Sequence, residues 1–193
     1  MQNLGFYFDL GWHHIIAWEA KDHWLFILAL SAIYLAGNWK QVLVLVTAFT
    51  IGHSITLALS IFDVVRVNSG WVEFLIPCTI VATALFNFFQ TDFKPRSLRH
   101  NYFLALFFGL IHGLGFANAI RFMMAKDESI GWSLFGFNIG LEAGQIVVVT
   151  AILLVSYLVV NKAGLNRKWW VWVLSLVALT MAAKTIWERI SLI

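Results

Sequence analysis

The chain has 193 residues, 61% of them apolar and 12% charged, with a mean hydropathy of +0.81. A soluble domain of this length carries roughly twice that share of charge, and the single cysteine, Cys78, excludes a disulfide scaffold. The net charge of +3 comes from 13 basic and 10 acidic residues with no dense basic run, which argues against nucleic-acid binding. What remains is an integral membrane protein of one domain.

Residues 1–21 lack the basic region, apolar run and cleavage site of a signal peptide. They are expected to form an outer segment, at most a short interfacial helix. The first crossing is expected at 22–37, but its predominantly apolar part, 24–36, covers about 20 Å and is too short to span alone. To cross, it must take in Asp22 and His23. Five further spans read plainly at about 41–61, 72–90, 102–124, 133–160 and 169–187. The expected fold is therefore all-α, a bundle of six transmembrane helices in a single domain, with the bilayer as its first partner.

The breaks fall at Gly37-Asn38, Asn68-Ser69-Gly70, Lys94-Pro95-Arg96, Lys126-Asp127-Glu128 and 161–168. All ten tryptophans lie near segment ends, where amphipathic rings settle at the headgroups. Lys40, Lys94, Arg96, Arg99, Lys162, Arg167 and Lys168 weight the first, third and fifth loops. Those loops are expected in the cytoplasm and both termini on the outer side. The expected location is a bacterial-type inner membrane.

With that orientation, Asp22, His23 and Glu73 open helices at the outer face. His53 lies roughly 12 Å below it, and His112 and Glu142 sit near mid-membrane. Ionisable groups at the bilayer centre cost at least ~2.5 kcal/mol each if charged and facing lipid, so they should face the interior of the bundle. In the fifth span Gly136, Gly140 and Gly144 recur every fourth residue, while Asn138, Glu142 and Gln145 form a second stripe on nearly the opposite face. One face admits a neighbouring helix closely; the other presents amides and a carboxylate. Thr50 and Ser54 supply hydroxyls around His53. Imidazole with carboxylate suits Ni, Co, Zn or Fe(II), with hydroxyls and amides behind to orient the rings. The plainer alternative is interhelical hydrogen bonding for His53, His112 and Glu142 and a solvated boundary for Asp22, His23 and Glu73, and Cys78 reads as a small core residue.

The segments TAFTIGHSITLAL (47–59), VEFLIPCTI (72–80), FGLIHGLGFA (108–117) and FNIGLEAGQ (137–145), with the pair Asp22-His23, resemble the HupE/UreJ family. The family is regarded as nickel permeases, or nickel/cobalt-type secondary transporters, linked to hydrogenase and urease maturation. The resemblance implies a divalent-metal importer with Asp22, His23, His53, Glu73, His112 and Glu142 handling the metal. The family's first motif usually reads His-Ile, two residues, Gly, one residue, Asp-His. Here His14-Ile15 lies two residues farther from Asp22-His23 and the glycine is missing, which leaves His14 as an additional candidate.

Three functions stay open on the sequence. A secondary transporter would bind metal from the outer face and release it inward, past hydroxyls and amides such as Thr47, Thr50, Thr83, Asn87, Thr150 and Ser156. An intramembrane zinc hydrolase would use the same cluster with an open coordination position for water, and would need no exit. A sensor or accessory subunit would need a stable partner. A second copy of the chain and metalloenzyme-maturation proteins are the protein partners left open, and no Walker motif supplies ATP-driven machinery.

Overall fold

The computed structural model describes residues 2–90, 98–124 and 129–190. Among them there is no strand; the chain is α1 (Gln2–Ile16), α2 (Lys21–Ser31), a 3₁₀ turn (Ala36–Asn38), α3 (Trp39–Ile61), α4 (Ser69–Phe89), α5 (Leu98–Met124), α6 (Ile130–Ser156) and α7 (Arg167–Arg189). A π-helical turn, Tyr157–Lys162, ends α6, and Gly164 then takes the left-handed backbone conformation (φ 73°) before α7. Asn68 and Asn166 cap α4 and α7 by accepting from the N–H groups of Gly70 and Lys168 at 2.8 and 2.9 Å. Two of the expected breaks are thus helix caps. The loop residues Lys94, Pro95, Arg96, Lys126, Asp127 and Glu128 lie outside the described residues.

Among the described residues, five helices are long and apolar enough to cross a membrane: Ala36–Ile61, Ser69–Phe89, Arg99–Ala117, Ile130–Lys162 and Arg167–Arg189. They correspond to the five spans read plainly from the sequence.

The N-terminal third differs from expectation. The helix expected at 22–37 closes at Ser31, giving α2 an axial length of about 16 Å. Its end is held without further helical turns: the Tyr34 N–H returns to the Ser31 carbonyl, and Arg167 donates to the Ile33 carbonyl at 2.6 Å. The Ile33 carbonyl, just past the helix end, is thus satisfied by a guanidinium from α7. Residues 2–16, expected as an outer segment or a short interfacial helix, are helical over 15 residues. This helix buries Tyr7 and Ile15 and lies along α6.

The glycine stripe explains that packing. A methyl group at Gly140 would collide with the Phe8 carbonyl, one at Gly136 with that of Leu4, and one at Gly144 with the Ile15 side chain. From α1, Gly11 meets the backbone of Phe137 and Leu141 in the same way. The pairing advances together along both chains, so α1 and α6 run parallel and in backbone contact. α3 and α5 form a second close pair, through Gly52 against Leu106, Gly109 against Phe49 and Gly113 against His53 and Thr56. Between the pairs, α2 packs beside α4 and α7. Asn87 of α4 donates to the Ala29 carbonyl at 2.7 Å and to the Ser175 hydroxyl at 3.0 Å.

Candidate metal centre

Four histidines from four helices meet where these packings cross. His14 closes α1, His23 opens α2, His53 sits in α3 and His112 in α5. Ring centroids lie 4.7 Å apart for His14–His23, 5.3 Å for His23–His112, 5.7 Å for His14–His53 and 6.1 Å for His23–His53. One ring nitrogen from each of His14, His23 and His53 lies within 4.8 Å of the other two. Three neutral imidazoles so placed offer a nitrogen face to one divalent ion.

Local sequence places each ring. The break between α1 and α2 turns the chain so that His14 and His23 touch, and the Trp24 indole donates to the Ile15 carbonyl at 2.5 Å, fastening α2 to the end of α1. The two additional residues between His14 and Asp22 are taken up in this turn, and His14 joins the cluster. Gly113, next to His112, lets α5 approach the His53 backbone, which brings the His112 and His53 side chains to one level.

The hydrogen-bond inventory separates these rings from interhelical glue. His53 is fully buried, and neither Nδ1 nor Nε2 has a partner. Nε2 of His14, Nε2 of His23 and Nδ1 of His112 are likewise buried and unpartnered. A buried polar atom without a partner costs roughly 1–3 kcal/mol, so five of them in one cluster call for an occupant. The other nitrogen of His112, Nε2, lies 3.0 Å from the Thr79 hydroxyl. That hydroxyl donates its proton to the Ile76 carbonyl at 2.7 Å. Thr79 therefore accepts from His112 Nε2–H, and neutral His112 carries its lone pair on Nδ1. Thr79 escaped the sequence reading because only the fold brings it to the imidazole.

Toward the end of the bundle where α3 ends, α4 begins and α7 ends, the cluster opens into a cavity of about 400 Å³. His13, His14, Asp22, His23, Glu73, His112 and Arg189 line it. Asp22 and Glu73 thus share the cavity with the histidines, and the Asp22 carboxylate pairs with Arg189 at 3.0 Å. In the opposite direction the cluster rests on aromatic rings. Phe26 follows His23 by one helical turn, Phe49 precedes His53 by one, and Phe108 precedes His112 by one. Phe26 stacks on Phe49 at 4.7 Å, and both lie about 5 Å from His112. Beyond this floor lies a second cavity of about 280 Å³, lined by Phe108 together with Thr83, Asn87, His100 and Asn101.

Glu142 is placed elsewhere. It lies in a groove on the flank of the bundle between α3 and α6, where Thr47 donates to its carboxylate at 2.5 Å. Asn138 and Ser54 line the same groove, with the Asn138 carbonyl oxygen buried and unpartnered. Thr50, also on this groove, donates to Gln145 at 2.7 Å. The polar stripe of α6 thus faces α3, opposite the glycines, but it does not bring its carboxylate to the imidazoles.

The family model described as HupE / UreJ protein matches residues 1–189. Neither a curated protein nor a solved structure matches the chain.

Proposed function

The chain belongs to the HupE/UreJ family, and we propose that it is a nickel- or cobalt-type secondary transporter whose histidine cluster binds the ion in transit. The observation that carries this reading is His53: a fully buried imidazole with two unpartnered nitrogens, set among three further histidines. The 400 Å³ cavity is the entry vestibule and the 280 Å³ cavity the way out. The Phe26–Phe49–Phe108 layer keeps them apart in this state. The vestibule faces the outer side of an inner membrane. Lys40, Arg99, Lys162, Arg167 and Lys168 at the opposite end face the cytoplasm. In this reading α1 and α2 together make the sixth crossing, as two short helices broken at the metal cluster. His14, His23 and His53 hold the ion, with His112 as a fourth ligand through Nδ1. Asp22 and Glu73 attract it at the entrance. Glu142, Thr47, Thr50, Asn138 and Gln145 form a separate polar groove that serves the rearrangement rather than the binding.

Metal flux into sealed proteoliposomes tests this. Saturable Ni or Co uptake by the wild type, abolished in His53→Ala, is the expected result. Tight binding without flux under several ion gradients would sink the transporter. A metal-dependent intramembrane hydrolase would then take its place, and the aromatic floor is the observation that favours that second reading, since an enzyme needs no exit.

A further inference from the structure

The mouth of the vestibule carries a cation already, and it belongs to the protein. Pro77 stands inside α4. Having no N–H, it leaves the carbonyl four residues earlier, that of Glu73, without its helical donor. Arg189 fills that place: its Nη1 donates to the Glu73 carbonyl at 2.9 Å, while its Nη2 pairs with Asp22 at 3.0 Å. The guanidinium thus bridges one carboxylate oxygen and one backbone carbonyl, the oxygen donors that a hard or borderline divalent ion would take. Asp22 directly precedes His23, and all three residues line the cavity that leads to the imidazoles.

We infer that the Asp22 carboxylate and the Glu73 carbonyl freed by Pro77 form an oxygen-lined entry site, in which Arg189 is a tethered substitute cation that an incoming divalent ion displaces. The inference rests on the metal-transport reading above. An arginine cannot leave by losing its proton, so the site opens only when the side chain swings away. Arg189 is the last residue of α7, so the swing need not disturb a longer stretch of helix. A monovalent ion offers Asp22 no more charge than the guanidinium already supplies, whereas a divalent ion offers twice as much. Arg189 would then select for charge at the entrance, before the imidazoles select for nitrogen-seeking metals.

The test uses the full-length chain in nanodiscs, titrated with Co²⁺ and followed by calorimetry and by the visible absorption of the bound ion. Arg189→Gln should bind Co²⁺ about tenfold more tightly or better, because the competing cation is gone. In an Asp22→Asn background the same change should do nothing. Arg189→Lys keeps the charge but cannot span both oxygens, so it should tighten binding severalfold. It also decides the matter should the glutamine variant fail to fold. Unchanged or weaker binding in these variants, with a wild type that binds Co²⁺, would overturn the entry-site inference and leave the histidine site standing. A wild type that binds no Co²⁺ would overturn the metal reading and this inference with it.

Discussion

Thr79 and His112 are locked in one hydrogen-bonding sense. The threonine hydroxyl spends its proton on the Ile76 carbonyl at 2.7 Å and receives the imidazole Nε2–H at 3.0 Å, which leaves the buried His112 Nδ1 lone pair free. Partners behind a metal-binding histidine fix its tautomer and typically change affinity by 10–100-fold when removed. Thr79→Val should therefore weaken Ni or Co binding roughly tenfold, while Thr79→Ser should keep it near the wild type. Nitrogen NMR of ¹⁵N-histidine-labelled protein should show one His112 tautomer in the wild type and a mixture in the valine variant. An unmixed spectrum with unaltered affinity would remove Thr79 from the site.

His53 separates stability from function. Both of its ring nitrogens are buried without partners, so in the metal-free protein the imidazole is a burden. His53→Leu should abolish metal binding and leave the thermal midpoint of the apo protein equal or higher. A structural histidine would behave oppositely, with its loss lowering the midpoint. For the wild type, saturating metal should stabilise the fold by about 2.7 kcal/mol at a hundred times the dissociation constant, and a chelator should reverse this. Thermal unfolding with and without Ni measures both effects.

The glycine contacts tie packing to the site. A side chain at Gly140 would meet the Phe8 backbone, and backbone cannot swing aside as a flexible side chain can. Gly140→Val should thus displace α1 from α6, cost about 1–3 kcal/mol or more, and move His14 away from His23. Metal affinity should fall as far as in His14→Ala, although residue 140 touches no imidazole. Gly131, whose added methyl group would meet nothing within 4 Å, is the matched control and should tolerate alanine. Equal affinities for Gly140→Val and wild type would detach α1 from the site.

How much of this was legible in the sequence follows from the range of each signal. The five long spans were, because hydropathy over some twenty residues is a local property. The division of α6 into a glycine face and a polar face was, because both stripes follow the helical period; the glycines do meet a helix backbone, that of α1. What that partner would be was not legible, since residues 2–16 have mixed polarity and read as an outer segment. The shortness of the first apolar run was visible, but its resolution as a helix broken before Lys21 and closed at Ser31 depends on Trp24 and Arg167 reaching carbonyls distant in sequence. The same dependence hid Thr79 and Arg189. His23, His53 and His112 could be singled out because ionisable groups in apolar helices are rare. That rarity marks a residue without saying which neighbour it meets, and so it grouped Glu142 with the imidazoles.

Glu142 offers the sharpest contrast with the histidines. Its carboxylate accepts from Thr47 in the α3–α6 groove, and the neighbouring Thr50 hydroxyl is turned to Gln145. Thr47 lies six residues before His53 on α3, close to 9 Å along the axis, so the hydrogen bond that holds the Glu142 carboxylate is made away from the His53 ring. If the groove serves movement and the imidazoles serve binding, Glu142→Gln should hold Ni with an affinity within about twofold of the wild type. Its uptake into proteoliposomes should nonetheless fall by tenfold or more, roughly the weight of a 1.4 kcal/mol change between states. His53→Ala should lose both. Parallel equilibrium binding and flux on the two variants separate the roles. A glutamine variant that loses binding in proportion to flux would return Glu142 to the metal, and would require the groove to close onto the cluster in a second arrangement of α3 and α6.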